Sequence, residues 1–299
     1  MSSADRAVTV IIPTRGLRER AELLRNAIDS VLGQLDVRAV PLLVLNGASR
    51  CPEVEQALKA DPRLRLITRH EANLPAAMRA GREAVDTPWY ATLDDDDVLL
   101  PDALSLRVGA LQRRPDCDAV ITNGYRRTDA GDVLNILPGS DINSDPLRAL
   151  LRRNWLLPGS WLCRSDNVGV SLFEGMPRYL ECTYLAVRFA TEYRMLWLDT
   201  PTVAYRVGSP LATSNSREYT LGQVDALRRI IELKLPSDVR RQFRRRIAAS
   251  YHFEANRALR EGETRKAWRW HVAALLESGG LRYAPFIRHL LRASWSRRS

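Results

Sequence analysis

Four consecutive aspartates, Asp94, Asp95, Asp96 and Asp97, follow an apolar, aromatic segment at residues 89–93. Adjacent carboxylates repel one another, so such a run is costly in a folded chain unless a cation or a set of hydrogen bonds offsets it. Solvation in a turn or at a helix start also offsets it, and by charge alone that reading weighs equally. Position shifts the balance. The run stands between a strand pattern and Val98-Leu99-Leu100-Pro101-Asp102-Ala103-Leu104, which opens a new helix. A divalent ion is the simplest compensation. Mg²⁺ or Mn²⁺ prefers oxygen ligands, and Mg²⁺ is typically held by one or two carboxylates together with substrate phosphates. That arrangement suits a diphosphate leaving group, whose developing charge a cation neutralises.

The residues before the run alternate between two periodicities. Residues 8–12 read as a buried strand that stops at Pro13, and residues 18–32 place Leu23, Leu24, Ala27, Ile28, Val31 and Leu32 on one helical face. A second strand at 40–45 ends at Asn46-Gly47, a helix follows at 53–60, a third strand at 64–68, and a short helix at 75–85. Strand-helix alternation predicts an α/β fold with a Rossmann-like, mostly parallel sheet flanked by helices. Ligand sites in such sheets form at the carboxyl ends of the strands, so residues 13–16, 46–49 and 94–97 converge on one crevice. Further strands are expected at 119–122 and within 155–163 and 193–205.

Beyond about residue 218 the pattern is helical. Val239, Phe243, Ile247, Tyr251, Ala255 and Ala258 form one stripe, with Arg240, Arg241, Arg244 and Arg245 largely off it, and more helices are expected at 265–276 and 284–295. The division is therefore residues 1–217, a catalytic-type α/β domain, and residues 218–299, a basic helical C-terminal extension. Charge follows the same division. The chain carries a net +10, and residues 238–299 hold 15 Lys and Arg against 5 Asp and Glu, so the surplus lies wholly in the tail. Such a block favours an anionic partner, with a solvated basic face as the equal alternative. With Trp268, Trp270 and Trp295 among the arginines such helices can lie at an anionic membrane surface; the inner faces of the apolar stripe are expected to pack on the catalytic domain, leaving the outer arginines available. No nucleic-acid motif accompanies the charge, and no nucleic-acid partner is expected. The apolar run at 8–12 is too short for a signal peptide, and no stretch approaches the ~18 apolar residues of a spanning helix. The expected location is cytoplasmic, peripheral on the inner face of the membrane. Cys51, Cys117, Cys163 and Cys182 lack metal-site spacing and read as reduced thiols.

Pro13-Thr14 after the first strand, Asn46-Gly47 after the second, Leu93 with the four aspartates, and Leu100-Pro101-Asp102-Ala103-Leu104 together resemble the family 2 glycosyltransferases of the GT-A fold. The resemblance covers roughly residues 8–215, and its motifs are specific as a set although each alone is weak. It implies an inverting, metal-assisted transfer of a sugar from a nucleoside diphosphate sugar (UDP-, dTDP- or GDP-linked) to a hydroxyl of a glycan or lipid-linked acceptor, as in cell-surface polysaccharide synthesis. Asp94 and Asp96 then hold the outer places of the Asp-any-Asp motif. Asp96 is the direct metal ligand and Asp94 contacts the ribose or the metal shell. Pro13, Thr14, Arg15, Asn46, Asp95 and Met78 or Arg79 line the nucleotide-sugar pocket, and Asp97 faces the sugar or acceptor.

The chain departs from the family where the catalytic base resides. The usual Glu-Asp pair corresponds here to Glu181-Cys182, ahead of Arg188. A thiol of ordinary pKa is mostly protonated at neutral pH and replaces a carboxylate base poorly. Glu181 is the preferred base and Glu174 the second carboxylate of the region. Leu45 stands where many relatives have an aspartate, and Val207-Gly208-Ser209 lacks the histidine often found there. The cysteine keeps a rival open, a relative that binds the donor without catalysing transfer. A nucleotidyltransferase ranks lower, because Pro13-Thr14-Arg15-Gly16 is not glycine-rich.

Overall fold

The computed structural model describes residues 6–208 and 217–295. The chain separates into two compact units, Met1–Ser209 and Pro210–Ser299.

The first unit is built on one sheet. Strands β1 (Ala7–Thr14), β2 (Arg38–Asn46), β3 (Arg65–Arg69) and β4 (Trp89–Thr92) pair in parallel in the order β3-β2-β1-β4. The order continues through β8 (Trp161–Arg164), β6 (Ala119–Thr128), β9 (Met195–Arg206) and β5 (Val98–Leu99), with β7 (Gly131–Leu134) as a hairpin on β6. In this second half β6 and β9 run parallel, while β8 is antiparallel to both its neighbours. Every residue of β1 is buried, as expected for a central strand covered on both faces. Helices α1 (Ala21–Leu32), α2 (Pro52–Ala60), α3 (Leu74–Glu83), α4 (Ala103–Arg113), α5 (Pro146–Arg152) and α6 (Glu181–Glu192) connect the strands.

The α/β class and the C-terminal helices match the sequence reading, with differences at particular elements. Strand β1 runs through Pro13 instead of stopping there. Alternate residues of a strand face the same neighbour, and Ile11 faces β4, because its carbonyl accepts the Leu93 N–H. Pairing with β4 ends at Ile11. The N–H that Pro13 lacks would point to that unpaired side, so the ladder loses nothing. The strand expected within 155–163 begins only at Trp161 and runs to Arg164, and the helix expected at 18–32 begins with a separate 3-10 turn, Arg18–Arg20. That turn positions Arg20.

Two polar side chains, Gln34 buried and Ser30 half-buried, fasten the segment after the aspartates. Gln34, at the end of α1, donates to the Leu100 carbonyl (2.9 Å) and accepts from the Leu104 N–H (2.9 Å), while Ser30 Oγ accepts from the Leu99 N–H (3.1 Å). Arg107 of α4 is fully buried and donates to Thr202 Oγ1 (2.6 Å) and the Trp161 carbonyl (3.2 Å), tying α4 to β9 and β8. Burial alone pushes its guanidinium down to about 9. Helix α3 lies close on β1 through Gly81, where an added Cβ would stand 2.4 Å from Ile11 Cγ2.

The second unit is helical: α7 (Arg217–Glu232), α8 (Ser237–Arg260), α9 (Thr264–Leu276), a 3-10 turn at Gly280–Phe286 and α10 (Ile287–Trp295). The stripe expected on α8 is buried at Val239, Phe243, Ile247, Ala255 and Ala258. Tyr251, half-buried, stacks on Trp270 with ring centroids 5.7 Å apart. Among the described residues no helix is long and apolar enough to cross a membrane.

Candidate active site

The acidic run leaves β4 at the carboxyl end of the sheet and its four carboxylates take different surroundings. Asp95 is buried and turned back into the protein. Thr14 Oγ1, at the end of β1, donates to Asp95 Oδ2 (2.6 Å), and Arg20 donates to Asp95 Oδ1 through Nε (3.0 Å) and Nη2. The same Nη2 lies 3.0 Å from Asp96 Oδ2. Thr14 Oγ1 also accepts the Gly16 N–H (3.1 Å), so one hydroxyl shapes the β1 loop and holds the acidic loop against it.

Asp94, Asp96 and Asp97 bring carboxylate oxygens within 4.8 Å of one another, an acidic cluster able to hold a divalent ion. All three groups are acidic carboxylates held near each other, and each one's pKa is raised. Burial pushes the Asp94 carboxyl up to about 7, helped by the Asp96 and Asp95 charges and opposed by Arg20. Burial likewise raises Asp96, against Arg20. Asp97 is raised well above the carboxylate range, first by burial and then by Asp94 and Asp96. Its Oδ1 accepts the Arg206 N–H (2.8 Å) from the end of β9, while Oδ2 is buried with no hydrogen bond among the described residues. An all-oxygen donor set with an orphaned buried oxygen and raised pKa values is the chemistry that Mg²⁺ or Mn²⁺ fits. The sequence reading set Asp97 toward the sugar or acceptor; here it stands with Asp94 and Asp96, 1% exposed.

Glu181 is the first residue of α6, directly after Leu180, which holds the left-handed φ of +57° that is costly for a bulky side chain. Burial first, with the Asp94 charge adding to it, pushes the Glu181 carboxyl up to about 8, so Glu181 shares the electrostatic surroundings of the acidic cluster. The Cys182 thiol is raised well above its usual range by burial, with Asp94, Glu181 and Asp97 adding to it, and stays protonated at neutral pH. The Tyr205 hydroxyl is raised by burial and then by Asp97, Cys182, Asp94 and Asp96. Glu174 has an exposed side chain, and its carbonyl accepts from the Tyr184 hydroxyl (2.6 Å) and from Arg188 (3.2 Å).

The remaining residues of the crevice divide by role. Pro13 and Thr14 are buried at the end of β1, and Arg15 is exposed beyond them, with no hydrogen bond or ion pair among the described residues. Asn46 is buried and its Oδ1 accepts the Asn73 N–H (3.0 Å); Asn73 in turn caps α3 by accepting from the Ala76 N–H (3.0 Å). The Asn46 side chain thus sets the path into α3. Met78 is buried in that helix, and Arg79 is exposed and ion-paired with Glu83 (3.0 Å). Three arginines were not singled out by the sequence pattern. Arg20 binds Asp95 and Asp96, while Arg50 Nη1 and Arg69 Nε, near the ends of β2 and β3, are buried without a hydrogen-bond partner among the described residues, Arg50 pairing with Glu55 through Nε (3.4 Å). Their sequence signal is a basic residue at a strand end or a few positions beyond one.

Fold and site together define an α/β protein with an acidic loop, able to hold a cation, at the carboxyl edge of its sheet. The family model of glycosyl transferase family 2 matches residues 9–159, half of the chain, and the chain belongs to that family. A curated protein of Rickettsia bellii (strain RML369-C), described as an uncharacterized glycosyltransferase, is 24% identical over 147 residues. That match covers 48% of this chain and 21% of the relative, so the chain spans about a fifth of the relative's length. Among solved structures, S. aureus TarS 1-349 in complex with UDP is similar, with a TM-score of 0.54 and 11% identity over 82% of this chain and 71% of that one. TarS 1-349 in complex with UDP-GlcNAc gives 0.56 and 11%, over 82% and 72%. At these identities the likeness is one of fold.

Proposed function

We propose that the protein is a metal-assisted, inverting glycosyltransferase that moves a sugar from a nucleoside diphosphate sugar to a hydroxyl of a glycan or lipid-linked acceptor. The observation that carries this reading is the packing of Asp94, Asp96 and Asp97 into one acidic cluster beside Glu181. Membership of glycosyl transferase family 2 supports it, and the similar TarS structures, which are complexes with UDP and UDP-GlcNAc, make uridine diphosphate sugars the first donors to test. dTDP- and GDP-linked sugars are the next.

Asp96 and Asp94 are assigned as metal ligands, with Asp97 completing the cluster. Bound Mg²⁺ or Mn²⁺ would neutralise the charge that develops on the departing diphosphate. Asp95 keeps the loop in place through Thr14 and Arg20. Pro13, Thr14, Arg15 and Asn46 are assigned to the donor pocket; Arg79 joins them only by exchanging its Glu83 partner. Glu181 is assigned as the general base. A carboxylate whose pKa is raised to about 8 takes a proton from an acceptor hydroxyl more readily than an ordinary one does. The protonated Cys182 thiol does not compete for that role. Attack in line on the anomeric carbon then inverts its configuration with no covalent sugar-protein intermediate.

The catalytic unit in this proposal is residues 1–217, and the basic extension 218–299 holds the protein against the inner face of an anionic membrane, where a lipid-linked acceptor of cell-surface polysaccharide synthesis would lie. Cys182 in the usual aspartate position favours a second reading, a donor-binding protein without efficient transfer. Thermal-shift measurements with nucleoside diphosphates and their sugars, with and without Mn²⁺ or Mg²⁺, test the first reading. The expected result is a metal-dependent stabilisation by one nucleotide class that Asp96→Ala abolishes. Stabilisation by no nucleotide would sink both readings; stabilisation without turnover on any acceptor would favour the second.

A further inference from the structure

The helical unit carries a surface that its own packing does not explain. Arg265, Arg269, Val272 and Leu276 follow one another at spacings of three or four residues on α9 and are all exposed, so they form one face of that helix. The face begins with arginines and ends in apolar residues. Leu276 is 83% exposed, and Leu281, just across the turn that follows, is 77% exposed, with Val272 at 48%. Two leucines presented this fully at one turn are unfavourable in water, each leaving apolar surface in contact with solvent.

The turn itself is held firmly. Gly279 adopts φ +77°, and its backbone packs so closely on α8 that an added Cβ would stand 3.0 Å from Arg245 Cγ. Glu277, the acidic side chain of the turn, is engaged by Arg228 at 2.7 Å. Arg245 and Arg282 are exposed beside the leucines. The result is an apolar tip flanked by Arg245 and Arg282, with Glu277 paired to Arg228; Glu254, Glu261 and Glu263 lie further back, around Arg269.

We infer that the α9 face and the Leu276–Leu281 turn form a membrane-docking surface, in which the two leucines enter the lipid and Arg245, Arg265, Arg269 and Arg282 meet anionic headgroups. The inference rests on the proposed membrane association and names the surface that performs it. Charge complementarity selects the occupant. A polyanion in water, such as a nucleic acid, satisfies the arginines and leaves both leucines in solvent, whereas an anionic bilayer accepts both chemistries at the depth they require. Each arginine near such a surface contributes roughly 1 kcal/mol, or about fivefold in partitioning.

The test is co-sedimentation of the full-length protein with vesicles of phosphatidylcholine alone and of phosphatidylcholine with phosphatidylglycerol. The wild type should bind the anionic vesicles and not the neutral ones. Leu276→Ser/Leu281→Ser, at two exposed positions, should leave the circular dichroism spectrum unchanged and lower partitioning about tenfold or more. Arg245→Gln/Arg282→Gln should lower it about 25-fold. Wild-type binding by the leucine variant would overturn this surface while leaving membrane association in place through charge alone. Failure of the wild type to bind either vesicle would overturn both. Binding of a polyanion such as heparin that matches the anionic vesicles, undiminished in the leucine variant, would also overturn it.

Discussion

Replacing Asp94 by Asn should make the metal-free protein more stable, although the substitution removes a residue assigned to the metal. Asp94 is ionised in the unfolded chain above its ordinary value of 3.8, whereas the folded protein raises it to about 7, through burial first and then through Asp96 and Asp95. A raised carboxyl pKa makes folding take up a proton. The cost is absent below pH 3.8, grows as pH rises between the two values and is complete above about 7. At 1.36 kcal/mol per pH unit its upper limit is about 4 kcal/mol. Asp94 keeps partial exposure and has Arg20 nearby, and an amide must also be accommodated, so the gain realised by Asn should be about 1–3 kcal/mol. For a unit of this size that corresponds to roughly 3–10 °C in Tm. Urea or thermal unfolding in EDTA at pH 4.5 and pH 8 measures it. The variant should exceed the wild type at pH 8 and nearly match it at pH 4.5. Excess Mn²⁺ should narrow or reverse the difference, since a ligand at 100 times its Kd stabilises the wild type by about 2.7 kcal/mol. A variant equal to or weaker than the wild type at pH 8, or a gain equal at both pH values, would refute the electrostatic argument.

Three further outcomes follow from the same geometry. If Glu181 is the base, transfer should rise about tenfold per pH unit below its pKa of about 8 and level off above it, because the ionised form increases with pH; Glu181→Gln should slow transfer about 10²–10⁴-fold, flatten that limb and leave donor binding nearly unchanged in calorimetry. Thr14→Val removes a 2.6 Å hydrogen bond to a buried carboxylate and should lower stability by about 1.5–3 kcal/mol in denaturant titrations; a change below about 0.5 kcal/mol would show that Arg20 alone suffices to hold Asp95. Gly81→Ala and Gly109→Ala both lie within helices, yet they should differ in sign. At Gly109 the nearest obstacle is the flexible tip of Arg113 at 3.4 Å, so alanine should stabilise by about 0.5–1 kcal/mol, whereas at Gly81 the 2.4 Å approach to Ile11 should make it destabilising by about 1–2 kcal/mol.

The sheet's parallel half was legible because its strands are short apolar runs and its helices carry apolar faces at helical spacing, signals that local pattern contains. Placement of the four aspartates just past a strand end followed from the same pattern, and with it the crevice. Strand β5 and the β7 hairpin were missed. Two residues at Val98–Leu99 carry no period, and β7 has one apolar face position against β6. The separate roles of four identical side chains were also invisible, since nothing in a run of aspartates distinguishes one from the next.

From the sequence alone came the α/β class, the segregation of positive charge into the tail, and a glycosyltransferase-like motif set with a cysteine beside its glutamate. All of these are properties of order along the chain. Tertiary structure decided which charges meet. Arg20 and Thr14 reach Asp95 across more than 70 positions, and the Arg206 N–H reaches Asp97 across 109. Those partners, and the burial they accompany, separate an anchored Asp95 from the trio that is left with raised pKa values. Desolvation and Coulomb energy depend on distances through space, which residue order fixes only after the chain has folded.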